Sequence, residues 1–300
     1  MFSTANGAAR LSLIVVTGLI ALKTAVAIIT GSISILAQAA DSFLDLFAVA
    51  ITFLAIGVAT KPADEDHPFG HGKVENIAAV VQAVLIFIAA GLIIYSAVHR
   101  IIIGTTVELT EAGMGVMLVS IIASIFLSRH LLKVSRATDS TALEANARNI
   151  AADVYSAAGV LLGLGVIRLT GLTILDPIIA LVVALLILKT AYDVMRKSFG
   201  GLVDVKLPEA EENIIKQCIA THNDEIVSFH KLRTRKVGNQ RHVDLHLVMP
   251  KSASVEEAHQ LCDCLEQEIE VSLKRTNVTI HVEPCNRKCD QCPISPDQCK

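Results

Sequence analysis

Six long apolar segments in the first two-thirds of the chain constrain its fold more than any other feature. The hydrocarbon core of a bilayer is about 30 Å thick, so a helix needs about 20 mostly apolar residues to cross it. Six segments meet this requirement: residues 8–30, 34–59, 77–99, 113–132, 145–169 and 177–195. The sequence therefore predicts an α-helical membrane domain with six transmembrane helices.

The composition changes after the last apolar segment. The whole chain is only 18% charged, where average soluble domains carry about 25%, yet the residues after 204 read as an ordinary polar domain. There, helix and strand patterns alternate in the order helix, strand, strand, helix, strand, which predicts a ferredoxin-like α+β domain. We assign 1–203 to the transmembrane domain, 204–284 to the polar α+β domain, whose location and metal ligands are considered below, and 285–300 to a Cys-rich tail.

Lysine and arginine in the short loops indicate the orientation. With six spans both termini lie on one side, and that side carries Arg10, Lys61, Lys73, Arg129, Lys133, Arg136, Arg196 and Lys197. The other side carries only Arg100 and Arg168. Both termini and the polar domain are therefore expected in the cytoplasm. No basic stretch with interleaved aromatic residues suggests a nucleic-acid partner.

Ionisable groups inside spanning helices are costly and mark functional sites. Asp41 and Asp45 in the second span are four residues apart, as are Asn149 and Asp153 in the fifth, so each pair lies on one helix face. If these faces meet, four oxygen ligands converge, which suits a divalent cation. A helix–helix hydrogen bond would explain Asn149 alone, but packed carboxylates repel without a cation or proton. Lys23 is also deep in a span, with no partner that the sequence identifies.

The loop between the second and third spans contains a dense group of metal-ligand side chains. Asp64, His67 and His71 lie within eight residues of one another. Imidazole and carboxylate together suit zinc and its neighbours. A solvated polar loop without a metal is the alternative interpretation.

Histidines mark one face of the sheet predicted in the polar domain. Because side chains alternate along a strand, His246 points away from its apolar neighbours, and His281 and Glu283 share a face on the last strand. A second metal centre is one interpretation, and a polar sheet face with scattered histidines is the other. The candidate ligands are His230, His246, His259, His281 and Glu283.

The chain ends with four cysteines, Cys285, Cys289, Cys292 and Cys299, one pair of them at C-x-x-C spacing. This pattern resembles a thiolate metal site. Disulfides are disfavoured in the cytoplasm, and so short a tail needs a metal to become ordered. A flexible, reduced tail is the alternative.

Together these motifs resemble the cation diffusion facilitator family, and its bacterial zinc and iron branch in particular, over about residues 8–284. The resemblance rests on DSFLD at 41–45, PADEDHPFGHGKVEN at 62–76, the segment around Asp153, and HKLRTR at 230–235. It implies an inner-membrane homodimer, surrounded by lipid, that is not an enzyme but a metal–proton antiporter exporting Zn²⁺, Fe²⁺ or Mn²⁺. It also implies a transport site at Asp41, Asp45, Asn149 and Asp153, a loop site at Asp64, His67 and His71, and cytoplasmic sites near or across the dimer interface.

One departure from that family concerns Asn149, since relatives of this branch usually carry His there. Asn offers a neutral carbonyl oxygen and does not titrate, so the site becomes harder and should favour manganese or iron. Three ionised carboxylates around one divalent ion leave a net charge of −1, so one of them is expected to hold a proton part of the time.

Two other functions remain open from the sequence. The first is a membrane-anchored metal sensor or scaffold in which the change at Asn149 has abolished transport. The second is an enzyme or electron-transfer protein built on the cysteine tail. The sequence has no nucleophile–base arrangement or nucleotide loop that favours an enzyme.

Overall fold

The computed structural model describes residues 3–30, 33–103, 111–170, 172 and 174–286. It divides into two compact units, Met1–Gly200 and Gly201–Lys300. Six helices form the first: α1 (Ala5–Thr30), α2 (Ile33–Ala59), α3 (Lys73–Ile103), α4 (Glu111–Thr138), α5 (Thr141–Thr170) and α6 (Leu175–Leu202, which ends just beyond it). The second contains α7 (Glu209–Ala220), β1 (Ser228–Val237), β2 (Gln240–Met249), α8 (Val255–Ser272) and β3 (Thr276–Pro284).

Four helices are long and apolar enough to cross a membrane within the described part of the chain: α1, α3, α4 and α6. Helix α2 contributes a shorter apolar stretch, Asp45–Ala59. Helix α5 is not among the four, and its first turns carry polar residues such as Glu144 and Arg148. A membrane helical domain is therefore present, while the count of six spans stays a prediction.

Helix α5 is central to the first unit. Its residues Leu143 and Ile150 are buried in a core that also draws on α1, α2 and α4. Farther along, Ala152 packs in a second core with α3 and α6. Many large side chains on the outer surface are exposed, for example Phe126 at 71% and Leu185 at 63%, as expected for helices that face lipid.

Buried polar contacts hold the beginning of α5 in place. The Ser140 hydroxyl, just before the helix, donates to Glu75 on α3 at 2.5 Å. The Asn146 amide donates to Ser12 on α1 at 3.1 Å. Buried polar groups need such partners because an unmatched one is costly. These contacts set the rotation of α5 and therefore the direction in which Asp153 points.

The second unit is an α+β sandwich with a three-stranded sheet in the order β1-β2-β3. β1 and β2 are antiparallel and joined by the two-residue turn Gly238-Asn239, while β3 lies parallel to β2. The order α-β-β-α-β matches the β-α-β-β-α-β pattern without its first strand. In the full pattern that first strand lies between the strands that correspond to β2 and β3. Without it, β2 and β3 pair directly with each other and run parallel.

The two faces of this sheet differ in chemistry, as alternation predicts. Val243, Leu245 and Leu247 are fully buried and pack with residues of α7 and α8, such as Ile215 and Leu265. The intervening side chains of β2 are only partly buried. The helices therefore cover one face and leave the histidine-bearing face open.

Candidate functional site

A cavity of about 80 Å³ lies among α1, α2, α4 and α5 in the first unit. Asp45 of α2 and Asp153 of α5 both line it, together with the hydroxyl residues Ser42, Ser120 and Ser124. A water needs about 10–15 Å³ of such volume, so the cavity has room for an ion with several waters. Oxygen donors from two helices around one cavity are the ligands that a divalent cation prefers.

Lys23 of α1 lines the same cavity, and its Nζ donates to Ser42 Oγ at 2.7 Å. The sequence marked Lys23 as unusual but did not identify what it contacts. That information is tertiary, because Ser42 belongs to the next helix and its side chain meets Lys23 only when α1 and α2 pack. The structure thus places the positively charged side chain of Lys23 at the same cavity as Asp45 and Asp153.

The other two predicted transport ligands are placed differently. Asn149 is 7% exposed and is not among the described residues that line the cavity. The side chain of Asp41 falls outside the described part of the structure, although its backbone belongs to α2. The structure thus brings Asp45 and Asp153 together and leaves the participation of Asn149 and Asp41 as a prediction.

Three side chains of the loop before α3 converge, and we call them the loop cluster: Asp64, His67 and His71. Their ligand atoms all lie within 4.8 Å of one another. Asp64 Oδ1 is 3.0 Å from His67 Nδ1, and Oδ2 is 3.4 Å from His71 Nε2. Gly70, with φ of 74°, makes the turn between the histidines and donates its N–H to the His67 carbonyl.

The loop cluster also holds its carboxylate in the ionised form. The backbone N–H of His67 donates to Asp64 Oδ1 at 2.7 Å. This hydrogen bond is the main reason why the pKa of Asp64 lies below its usual value. An ionised carboxylate between two imidazoles is a suitable set of ligands for a zinc-like cation.

Another group of ligands lies on the open face of the sheet, and we call it the sheet-face cluster: His230, His246 and Glu283. The register pairs His230 with His246 across β1 and β2, and His246 with His281 across β2 and β3. A β-bulge follows His230, where Lys231 has φ of 53°. The strand pairing therefore aligns residues that are distant in sequence into one row.

Glu283 connects this row. Its Oε1 lies 2.6 Å from His246 Nδ1, and its Oε2 lies 3.3 Å from His230 Nε2. The hydrogen bond with His246 is the largest cause of a pKa of Glu283 below the usual value. His281 borders the cluster, with Nε2 3.8 Å from Glu283 Oε1.

Two predicted sites are not assembled among the described residues of this chain. His259 is exposed on α8 beside Asp263, at 3.6 Å, and does not join the sheet-face cluster within this chain. In the cysteine tail, Cys285 is buried and its N–H bonds to the Met249 carbonyl. Cys289, Cys292 and Cys299 lie outside the described residues, so a tail metal site stays a prediction.

Two family models match the chain almost from end to end. The model described as the cation efflux transmembrane domain matches residues 9–203. The model described as the cation efflux protein cytoplasmic domain matches residues 207–285.

Individual relatives span most of the chain as well. The cation-efflux pump FieF of Shewanella oneidensis is 33% identical over 92% of this chain and 93% of its own. An uncharacterized transporter of Synechocystis sp. is 32% identical over 88% of this chain and 85% of its own. Among solved structures, the metal-bound C-terminal domain of the CzcD transporter from Thermotoga maritima is 24% identical, with a TM-score of 0.25, over 27% of this chain and 98% of that one.

Proposed function

This chain belongs to the cation diffusion facilitator family of cation efflux transporters, and we propose that it exports Zn²⁺, Fe²⁺ or Mn²⁺ in exchange for protons. It works as a homodimer in the inner membrane, with all six helices crossing the bilayer and both termini in the cytoplasm. The observation that carries this proposal is the cavity that Asp45 and Asp153 share in the first unit. Carboxylates inside spanning helices are retained where they bind or relay ions.

The transport site consists of Asp41, Asp45 and Asp153, and Lys23 balances its charge. Asp41 precedes Asp45 by one helical turn on α2. Three carboxylates, one ammonium group and one divalent cation together have no net charge. The contact of Lys23 with the cavity therefore supports a metal-bound state in which all three carboxylates are ionised, rather than the partly protonated state expected from the sequence.

The cycle follows from this balance. With the cavity open to the cytoplasm, the metal binds the carboxylates and displaces their protons, since ligands must be deprotonated to coordinate. The helices then rearrange and open the cavity to the other side. Protons from that side neutralise Asp45 and Asp153, which weakens their hold on the metal and releases it. Protonated carboxylates and Lys23 have a low total charge without metal, which allows the empty protein to return.

Asn149 influences which metal is carried. It lies one turn before Asp153 on α5, and a neutral amide oxygen is a harder ligand than imidazole. We expect manganese and iron(II) to be transported faster than zinc. The Asn149→His substitution should shift the preference toward zinc.

The ligand clusters outside the membrane helices sense the metal. The loop cluster and the sheet-face cluster each offer a set of three ligand atoms within 4.8 Å. His259 is exposed on α8, which packs on the other face of the sheet from its own sheet-face cluster, and it is available to a cluster of the second protomer. Metal bound between protomers would stabilise the dimer when cytoplasmic metal is abundant.

Flux in proteoliposomes with an imposed pH gradient tests the proposal. Zinc, manganese and iron(II) are supplied separately to the wild type, Asp153→Ala, Asn149→His and Asp193→Asn. Asp193 is an exposed carboxylate of α6 that is not among the described residues lining the cavity, so its variant is a matched control. We expect flux in the wild type and control, and none in Asp153→Ala, which should still form a dimer.

Two results would contradict this assignment. Full transport by Asp153→Ala would exclude the cavity as the transport site. Absence of flux in the wild type for all three metals, with transport by Asn149→His, would instead identify a metal sensor or scaffold built on the fold of a transporter.

A further inference from the structure

Three ligand side chains also meet on the outer side of the helices in the cytoplasmic unit, and we call them the helix-face triad: His222, Cys264 and Glu268. One nitrogen, one sulfur and one oxygen lie within 4.8 Å of one another. His222 Nε2 is 3.1 Å from Glu268 Oε1, and Cys264 Sγ is 3.9 Å from the same oxygen. The sequence pattern did not predict this group, because His222 lies far from Cys264 and Glu268 along the chain.

Local structure explains why these residues converge. Cys264 and Glu268 are four residues apart on α8 and so share one face, one turn from each other. Helix α7 ends at Ala220, and the His222 N–H bonds to the Ile219 carbonyl in the turn that follows. This turn places His222 against α8, where its side chain is only 14% exposed.

The orientation of the His222 ring fits a metal ligand. Its Nδ1 lies 3.2 Å from Glu225 Oε1, on the side opposite to the triad. Histidines that bind metals typically donate their second ring N–H to a carboxylate in this way, which directs the other nitrogen to the ion. The Thr221 hydroxyl donates to the Cys218 carbonyl at 2.6 Å and lies 3.4 Å from Glu268 Oε2, beside the carboxylate.

The spacing also fits a tetrahedral ion. With zinc bonds of about 2.1 Å to nitrogen and oxygen and about 2.3 Å to sulfur, tetrahedral ligand atoms are about 3.4–3.6 Å apart. The measured separations of 3.1 Å and 3.9 Å from Glu268 Oε1 differ from that range by a few tenths of an ångström. The third pair, the His222 nitrogen and the Cys264 sulfur, lies within 4.8 Å, so rotation of these side chains closes the set around an ion.

We propose that the helix-face triad is a further binding site for a thiophilic divalent cation of the zinc class. The triad lies across the helix layer from the sheet-face cluster, because α7 and α8 pack on the opposite face of the sheet. Cys264 and Glu268 line a groove together with Cys218 and Thr221, which leaves room for a fourth ligand. The site links the end of α7 to α8, so metal binding there stabilises the pairing of the two helices. It does not depend on the transport activity.

Protection of Cys264 from alkylation tests this proposal on the full-length protein in detergent. Cys264 is exposed and therefore reactive, whereas Cys262 is buried and reports whether the domain remains folded. The protein is treated with a maleimide with and without zinc, and mass spectrometry quantifies each cysteine. Zinc at about ten times its dissociation constant should slow the alkylation of Cys264 about tenfold, because only the metal-free fraction reacts.

Three variants identify the ligands. Protection should be lost in His222→Gln and in Glu268→Gln, while Cys262 stays unreactive. It should persist in the matched control Glu270→Gln, an exposed carboxylate on the same helix. Absence of protection in the wild type, or protection that survives both ligand substitutions, would overturn the proposal. If one ligand variant unfolds and exposes Cys262, the other decides.

Discussion

The substitution Glu283→Gln tests the sheet-face cluster most directly, because this carboxylate contacts every histidine in the row. Its two oxygens lie 2.6 Å from His246 Nδ1, 3.3 Å from His230 Nε2 and 3.8 Å from His281 Nε2. Glutamine keeps the size of the side chain but removes the charge and presents an NH₂ donor in place of one oxygen. A bound metal would keep two imidazoles and lose its anionic ligand.

The size of the effect follows from these contacts. Removing a residue that only orients a metal ligand typically lowers affinity by about 10–100-fold. Glu283 is both a ligand candidate and the partner that orients His246, so the zinc dissociation constant of this cluster should rise about 100-fold or more. Because His246 lowers the pKa of Glu283, the carboxylate is ionised at neutral pH and the full effect should appear there.

The assay is a zinc titration of the full-length protein in detergent, in competition with a fluorescent chelator. Wild type, Glu283→Gln and Glu256→Gln are compared. Glu256 is an exposed carboxylate in the first turn of α8, so both variants carry the same net charge. Glu283→Gln should lose one high-affinity zinc per chain, and Glu256→Gln should lose none. Equal stoichiometry and affinity in all three proteins would refute this assignment of the cluster.

Three further predictions concern the scaffold. Gly163→Ala places a Cβ too close to Asp176 Oδ1 and 3.4 Å from the Cα of Asp176. The substitution should lower the free energy of unfolding by about 1–3 kcal/mol. An unchanged thermal midpoint in detergent would contradict this. Leu265 is fully buried, so Leu265→Ala should lower the free energy of unfolding of the cytoplasmic domain by about 2–5 kcal/mol in chemical denaturation. A smaller decrease would mean that the core around Leu265 is packed more loosely than in the structure. Ser254→Ala removes the side-chain cap of α8 and should cost about 1 kcal/mol in the same assay. The Ser254 backbone N–H lowers the pKa of Glu257, so the stability that the Glu257 carboxylate adds to this cap is complete above the usual glutamate pKa and is lost as pH falls through the lowered one. Glu257→Gln removes that carboxylate, and a difference in unfolding free energy from the wild type that does not shrink on acidification would contradict this.

Much of the architecture could be predicted because it depends on local patterns. Apolar length identified the helical domain, and alternation along β2 correctly separated His246 from the buried Val243 and Leu245. The Gly238-Asn239 turn and the Ser254 cap are local in the same sense, since turns and caps depend on residues within a few positions of one another. The three residues of the loop cluster lie within eight positions of one another, so a single turn of the chain is enough to bring them together.

Contacts between distant segments were not predictable in the same way. Lys23 meets Ser42 only because α1 packs on α2. His222 meets Glu268 across 46 positions because the end of α7 lies beside α8. Conversely, His259 lies in the same histidine-rich domain but contacts Asp263 on α8 and is not grouped with the row that includes His246.

The sequence by itself determined which segments are helices or strands, which faces are apolar, and which residue types are available for metal chemistry. These properties depend on hydrophobic length and on periods of 3.6 and 2 residues. Only the tertiary structure decided which candidate side chains come together: Asp45 and Asp153 around a cavity that Lys23 also lines, and Cys264 beside His222. The physical reason is that coordination requires atoms within a few ångströms of one ion, and the packing of helices and the register of strands set those distances.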